Sequence, residues 1–348
     1  MDKHKFYAVF VMLGEACNFS CKYCMQHDSI VEQIEAPINL ELIDKLNQLS
    51  QTSPGNKILL QFYGGEPLIY WNNIKSLSEA LDKNKFNLSI ISNGSLLTDN
   101  KVEFINKYDI NYTVSHDGPN TAYTRGKDIL LDEQFIDCFL KIKRKGVSQV
   151  FSPYSYKVKD VWEYISKYLG DIYINYDPIM DTGSLLKELK DFNWNDVENY
   201  FTNLFNEMID KMNLGQKLDY NETTFVSQFT QRIMSLTDPK YVIGIPRCGV
   251  NHRMLNIDLS GNIYLCHNAS IKLGTMYDDY SKILNNFNQK YNIYCGSDIC
   301  LNCEAFPVCG GGCLLVNQPA RNEYYCAMYK QLYQVFSNFL LKANYLPE

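Results

Sequence analysis

No stretch of this chain is apolar for long enough to cross a bilayer as a helix, which removes helical membrane proteins from consideration. A basic footprint is missing as well. The 33 Lys and Arg against 39 Asp and Glu leave a net charge of −6, which argues against nucleic acid as a partner. The one short basic cluster, Lys141, Lys143, Arg144 and Lys145, falls at the expected end of a helix, where cations suit the dipole. There are no internal repeats and no low-complexity linker, so the parts of the chain are expected to pack tightly. The start (Lys3, Lys5, then Phe6 to Leu13) faintly imitates a lipoprotein signal. Its apolar core is only eight residues, however, and Glu15 sits badly in a cleavage site, so the run reads as a first strand. Cysteine is abundant by contrast. Twelve of them, in a chain expected to be cytoplasmic, point to metal or redox use rather than a disulfide framework.

Three of the twelve, Cys17, Cys21 and Cys24, lie in one short run, and the next cysteine is Cys138. A cubane iron–sulfur cluster has four irons and normally takes one thiolate on each, so this run would leave one iron open. A zinc site, a redox loop or coincidence would also account for three clustered cysteines. The turns that follow add information. Gly64-Gly65-Glu66-Pro67 ends the apolar run Lys57–Tyr63, Ser92-Asn93-Gly94 ends Asn87–Ile91, and Ser115-His116-Asp117-Gly118-Pro119 ends Ile110–Val114. Each is a polar, glycine-bearing turn.

With Tyr23 directly before the last cysteine, the run resembles the CxxxCxxC signature of the radical S-adenosylmethionine (SAM) enzymes. The resemblance implies that Cys17, Cys21 and Cys24 hold a [4Fe-4S] cluster whose open iron is chelated by SAM. It implies that Gly64, Gly65 and Glu66 meet the methionine ammonium, and that Asn93 and Ser115 serve the ribose and methionyl group. A carboxylate accepts well from an ammonium, and glycines let a backbone edge come close. Arg125 carries a fixed fork suited to a carboxylate, and Tyr23 belongs to the same cofactor pocket. Taken singly, Asn93 and Ser115 are also ordinary turn residues.

The first two-thirds alternates strand-like runs (Phe6–Leu13, Lys57–Tyr63, Asn87–Ile91, Ile110–Val114, Val147–Pro153, Asp171–Tyr176) with helix-like ones. Helices are expected at stretches such as Leu40–Leu49, Ile74–Leu81, Asp99–Lys107, Glu133–Lys145 and Asp160–Leu169. Six such units predict an α/β fold, a partial TIM-like barrel of parallel strands with helices outside. Every motif above then sits at a strand's carboxyl end, where α/β barrels keep their active sites. The stripe Val197, Phe201, Leu204, Phe205, Met208, Ile209 and Met212 predicts an amphipathic helix over 195–212. The expected division is a barrel with bridging helices over 1–236 and a cysteine-rich domain with a terminal helix over 237–348.

That second part reads Cys248, Gly261, Cys266, then Cys300-x2-Cys303-x5-Cys309-x3-Cys313, then Cys326, with twelve residues between Cys248 and Gly261. The pattern resembles the SPASM extension of radical SAM enzymes, although paired zinc sites use similar short spacings. The resemblance implies an outer auxiliary [4Fe-4S] cluster on Cys300, Cys303, Cys309 and Cys326, and an inner one on Cys248, Cys266 and Cys313. With the SAM cluster that makes three. Cys295 lies outside the pattern and is either the fourth ligand of the inner cluster or leaves an open iron there. Cys138 sits in an apolar helical stripe with Phe135, Phe139 and Ile142 and reads as a buried core thiol.

The implied chemistry is reductive cleavage of SAM to a 5′-deoxyadenosyl radical that abstracts hydrogen from a C–H bond. Two auxiliary clusters favour net oxidation of the substrate. SPASM enzymes mostly modify peptides, so the implied substrate is a ribosomally made precursor peptide that gains a side-chain cross-link or thioether. Sulfatase-maturating Ser/Cys oxidation, peptide epimerisation, small-molecule dehydrogenation and a zinc-binding scaffold stand as alternatives. The anaerobic sulfatase-maturating enzymes carry an Asp after the cysteine matching Cys266, where this chain has His267. That imidazole is a candidate base or a hydrogen-bond donor near the cluster. The electron donor is expected to be a flavodoxin or ferredoxin type. With the first strand starting near residue 6, either a separate protein presents the leader peptide or the barrel recognises the peptide directly.

Overall fold

The computed structural model describes residues 5–25, 37–51, 57–179, 185–234, 253–268, 271–294, 300, 302–309, 313, 315 and 326–343. The expected boundary at 236/237 lies outside them, as do Cys248 and Cys295. The chain divides into two compact units. The first holds residues 1–116, 121–148 and 247–294, and the second holds 117–120, 149–246 and 295–348.

In the first unit a parallel sheet forms the wall of the partial barrel. Its strands are β2 (Ala8–Met12), β4 (Ile58–Tyr63), β5 (Phe86–Ser92), β6 (Asn111–Ser115) and the start of β7 (Lys145–Phe151), hydrogen-bonded in that order. Val9, Val11, Leu60, Phe62, Ile90, Tyr112, Val114 and Val147 are all buried. Parallel strands covered on both faces need this near-continuous apolar content, which is why they are visible as runs in the sequence. A short parallel pair, β1 (Lys5–Phe6) with β3 (Ser50–Gln51), stands apart. The helices α1 (Leu40–Gln48), α2 (Trp71–Ala80), α3 (Asp99–Lys107), α4 (Thr121–Arg125) and α5 (Glu133–Leu140) connect the strands. Asn39 caps α1 by accepting the Glu41 N–H at 3.0 Å, and Asp132 caps α5 by accepting the Phe135 N–H at 3.2 Å.

One local reading of the sequence is corrected here. The helix expected over Glu133–Lys145 stops at Leu140, and the next strand begins at Lys145. Asn106 of α3 explains the stop, because its Nδ2 donates to the Lys141 carbonyl at 2.9 Å and its Oδ1 accepts the Lys143 N–H at 2.8 Å. The cation expected at the helix end is nonetheless there, since Lys145 Nζ donates to the Leu140 and Ile142 carbonyls at 2.9 and 2.7 Å. The sequence also gave no sign that β9 (Met254–Asp258) pairs in parallel with β2, with β10 (Asn262–Tyr264) and β11 (Lys272–Thr275) following antiparallel and α9 (Tyr280–Tyr294) after them.

In the second unit β7 runs on to Phe151 and β8 (Ile174–Pro178) lies next to it, three residues later than the sequence suggested. Helices α6 (Val158–Leu169), α7 (Trp194–Asn213), α8 (Tyr220–Met234) and α10 (Cys326–Lys342) surround an aromatic core. On α7, Val197, Phe201, Leu204, Phe205 and Met208 of the expected stripe are buried. Phe205 stacks on Phe339 of α10 at 4.6 Å. No helix among the described residues is long and apolar enough to cross a membrane.

Candidate active site

The expected site residues of the first unit gather at the carboxyl ends of β2, β4, β5 and β6. The loop after β2 carries Cys17, Cys21 and Cys24, all half-buried free thiols. It is fixed at two places. Near Cys17, the Ala16 carbonyl accepts the Glu66 N–H at 2.9 Å, the Ala16 N–H reaches Tyr70 Oη at 2.8 Å, and the Gly14 carbonyl accepts the Gly65 N–H at 3.0 Å. Near Cys21, Lys22 N–H donates to the Thr124 carbonyl of α4 at 2.9 Å, and Cys21 Sγ contacts the Arg125 carbonyl at 3.9 Å. Within the loop, Cys24 N–H donates to the Cys21 carbonyl at 3.1 Å.

These contacts explain the Gly-Gly pair. A Cβ on Gly64 would stand 2.6 Å from the Gly14 carbonyl oxygen, and one on Gly65 would stand 2.3 Å from that of Ala16. The glycines let two backbones touch, so the turn after β4 clamps the start of the cysteine loop. Glu66 has almost no exposure. Its Oε1 accepts the Leu68 N–H at 2.9 Å and the Ser92 hydroxyl at 2.8 Å, and its Oε2 accepts the Asn93 N–H at 2.7 Å. Burial raises its pKa, with those three donors and Arg125 acting in the opposite direction.

Asn93 bonds Asn18 inside the cysteine loop, Nδ2 to Oδ1 at 2.8 Å. Ser115 closes β6 and pairs with Ser148 of β7. Next to it, buried His116 lies 2.9 Å from Asp128 Oδ1. Arg125, at the end of α4, donates through Nη1 to the Tyr23 hydroxyl, its guanidinium carbon 5.7 Å from the ring centroid. Asn18, Tyr70 and Ser95 also take part in the site, as does Ser92 of the Ser92-Asn93-Gly94 turn. Polar turn residues carry no periodicity that would single them out.

Cys266 follows β10 in the first unit. Its neighbour His267 stacks on Phe10 (4.7 Å, 9°) and meets the Tyr63 ring edge-on at 4.4 Å. His267 Nδ1 lies 3.3 Å from Asn256 Oδ1, so Nδ1 carries the proton. Burial lowers its pKa to about 4, which keeps the ring neutral at pH 7. Tyr63 Oη donates to Asn268 Oδ1 at 2.8 Å. In the second unit, Cys303 and Cys309 flank a helical turn in which Cys303 N–H reaches the Cys300 carbonyl at 3.2 Å and Cys309 N–H reaches the Ala305 carbonyl at 2.8 Å. Cys326 opens α10, and Cys138 is buried on α5 as expected.

The donor set suits an iron–sulfur cluster. Cys17, Cys266 and Cys313 each accept a backbone N–H from two residues on, from Phe19 (3.5 Å), Asn268 (3.4 Å) and Leu315 (3.4 Å). Such a turn directs a partial positive charge at sulfur and favours the thiolate that a metal requires. Burial still pushes the Cys17 thiol up, with Glu66 and Cys24 adding to it, while the Phe19 amide and Arg125 pull it down. No three His, Cys, Asp or Glu among the described residues are grouped to hold a single metal ion.

Residues 11–156, which include the three-cysteine loop and the strand-end turns that grip it, match the radical SAM superfamily, so this part of the chain carries a radical SAM domain. Such a domain implies a [4Fe-4S] cluster and SAM. Among curated proteins, the radical SAM cyclopropyl synthase TigE of Paramaledivibacter caminithermalis is 26% identical over 359 residues, covering 93% of this chain and 72% of that protein. The S-adenosylmethionine-dependent nucleotide dehydratase of Selenomonas ruminantium is 30% identical over 124 residues, or 34% of this chain and 43% of that one. Among solved structures, anSMEcpe with bound AdoMet shares the fold at TM-score 0.70 and 20% identity, covering 98% of this chain and all of its own (100%). SuiB of Streptococcus suis bound to precursor peptide SuiA follows at TM-score 0.57 and 15% identity, covering 89% of this chain and 72% of that one.

Proposed function

We propose that this chain is a peptide-modifying radical SAM enzyme with two auxiliary clusters, acting oxidatively on a ribosomally made precursor. The observation that carries the reading is whole-chain likeness. The fold of anSMEcpe solved with AdoMet and the Cp18Cys peptide matches 98% of this chain at TM-score 0.71, so the likeness runs through the C-terminal cysteines as well as the barrel. SuiB with its precursor peptide supports the same substrate class.

When bound, the cluster and SAM supply hydrogen-atom abstraction from an unactivated C–H bond. The chain's own residues orient and enclose. Cys17, Cys21 and Cys24 hold the cluster, the Gly64–Glu66 backbone edge and Arg125 face the methionyl end of SAM, and Ser115 and Tyr23 line its nucleoside. Cys300, Cys303, Cys309 and Cys326 hold the outer auxiliary cluster, and Cys248, Cys266 and Cys313 the inner one, with Cys295 as its candidate fourth ligand. His267, its one N–H spent on Asn256 Oδ1, serves as a neutral packing neighbour of Cys266 rather than a strong base. A cytoplasmic setting and a flavodoxin or ferredoxin donor accompany this reading.

The likeness to a cyclopropyl synthase favours a second reading of the product, closure of a three-membered ring. Cross-link and ring both remove two hydrogens. Anaerobic co-expression with short peptides encoded beside the gene tests the proposal by mass spectrometry. A loss of about 2 Da per event supports oxidative bond formation, and fragmentation tells a bridge between residues from a three-membered ring. No mass change with deuterium uptake from solvent points to epimerisation instead. Zinc with little iron in an anaerobic preparation would defeat the enzyme reading.

A further inference from the structure

Asn18, Ser95 and Asn93 close a ring of side-chain hydrogen bonds. Asn18 Nδ2 donates to Ser95 Oγ at 2.8 Å, Ser95 Oγ donates to Asn93 Oδ1 at 2.7 Å, and Asn93 Nδ2 donates to Asn18 Oδ1 at 2.8 Å. Each member gives one bond and takes one, so the three dipoles run head to tail and reinforce one another. Asn93 Oδ1 also accepts the Ser95 N–H at 3.0 Å. Asn93 is 6% exposed at the end of β5, while Asn18 is exposed in the cysteine loop. The ring therefore reaches from the buried strand end to the residue directly after Cys17.

It forms one half of a bracket. On the other side of Cys17, Ala16 is held through its carbonyl by Glu66 N–H and through its N–H by Tyr70 Oη. Glu66 in turn accepts the Asn93 N–H. Both flanks of Cys17 are thus tied to the ends of β4 and β5 by bonds made wholly within the chain.

We propose that Asn18, Asn93 and Ser95 are positioning residues that set the backbone around Cys17 in its ligand geometry before any metal arrives, with Asn93 acting on the cysteine loop rather than on the nucleotide. The inference rests on the radical SAM reading of Cys17. To reach a ribose, the Asn93 amide would have to leave a ring in which its oxygen takes two donors and its nitrogen serves Asn18. Partly exposed hydrogen bonds add little to global stability, so the consequence falls on the loop and not on the fold.

The test compares the wild-type chain with Asn18→Ala, Asn93→Ala, Ser95→Ala and Ser95→Thr, purified and reconstituted anaerobically with iron and sulfide. Four readouts are taken: the fraction of chains whose reduced-cluster EPR signal responds to SAM, SAM affinity per loaded chain, thermal midpoint, and amide hydrogen exchange over residues 16–19 in metal-free protein. The three alanine variants are expected to lower the SAM-responsive fraction severalfold and to speed exchange. Thermal midpoint and SAM affinity per loaded chain stay at the wild-type level, and Ser95→Thr, which keeps the hydroxyl, restores loading. The Asn18→Ala/Asn93→Ala double variant is no worse than either single one, as expected for members of one unit. The proposal is overturned if Asn93→Ala loads fully but binds SAM about tenfold more weakly, or if Ser95→Thr behaves as Ser95→Ala. Should the wild-type chain give no SAM-responsive signal, the radical SAM reading fails, and the exchange measurement still decides whether the ring fixes the loop.

Discussion

The Asn93 N–H donates to Glu66 Oε2 at 2.7 Å, joining the turn after β4 to the turn after β5. Because Glu66 also takes Leu68 and Ser92, its carboxylate works as a buried hub for three donors. Glu66→Gln presents an N–H₂ where acceptors are needed and leaves at least one donor facing another, at a cost of about 1–3 kcal/mol. The pH dependence follows from the raised pKa. The native state holds this proton more tightly than the unfolded chain does. The group's stabilising contribution is therefore complete below the ordinary carboxylate range and is lost as pH rises through the raised value. Thermal midpoints of wild type and Glu66→Gln should accordingly converge as pH rises from about 4.5, near the ordinary Glu value. A gap that widens instead would show that the donors outweigh burial.

Gly65→Ala tests the clamp between the β4 turn and the cysteine loop. The new Cβ would stand 2.3 Å from the Ala16 carbonyl oxygen and 2.4 Å from that of Glu15. Those are backbone atoms, so no side chain can swing away, and overpacking of this kind costs about 1–3 kcal/mol. The loop is also pushed off its hydrogen bonds to Gly65 and Glu66. We expect a lower thermal midpoint together with reduced iron retention. A variant that loads iron at the wild-type level would show that the clamp is dispensable.

The barrel was legible in the sequence because parallel strands are buried on both faces and read as apolar runs; Ile58–Tyr63 followed by Gly64-Gly65-Glu66 is the clearest case. The α7 stripe was equally visible, since its five buried residues fall at helical spacing. The place of β9 was not, because its partner β2 lies at the other end of the chain and pairing over that distance leaves no local mark. Nor was the end of α5, which is fixed by the Asn106 side chain from another helix. At the site, the spacing of the cysteines and the Gly-Gly-Glu run are legible in the sequence, but what Glu66 and Asn93 bond to is set by the fold. Asn18 and Ser95 look like any other polar residues in a turn until the fold brings them within 2.8 Å.

The two cysteine groups should separate in experiment. On the proposal of three clusters, replacing Cys17, Cys21 and Cys24 together by Ala is expected to remove about 4 of about 12 irons per chain and all SAM-dependent change in the EPR spectrum. Cys303→Ala should remove a similar amount of iron from the auxiliary set while sparing part of SAM cleavage and blocking the modified product. Iron analysis and detection of 5′-deoxyadenosine check both. Equal loss of cleavage in the two variants would count against separate roles.

His267 sits face to face with Phe10 and edge-on to Tyr63, with Nδ1 held by Asn256. Its pKa of about 4 leaves it neutral through the physiological range. His267→Gln should therefore leave the activity–pH profile between pH 6 and 8 without a lost inflection. The variant still loses the stacked ring beside Cys266, so the auxiliary-cluster EPR spectrum is expected to change. A variant with an intact spectrum and product formation reduced by orders of magnitude would instead mark His267 as the base.

Arg125 joins α4 to the cysteine loop, and its charge reaches Cys17. The guanidinium donates to the Tyr23 hydroxyl and is one of the two influences that lower the Cys17 pKa, against a larger upward push from burial. Arg125→Gln keeps a planar hydrogen-bonding head but removes the charge. The Cys17 thiol should then move further up, leaving less thiolate at a given pH. In metal-free protein at pH 8, alkylation of Cys17 is expected to slow, following the thiolate fraction. Tyr23→Phe removes only the hydroxyl partner and should leave that rate nearly unchanged. If both variants slow alkylation equally, access to the loop and not the Arg125 charge controls the thiol.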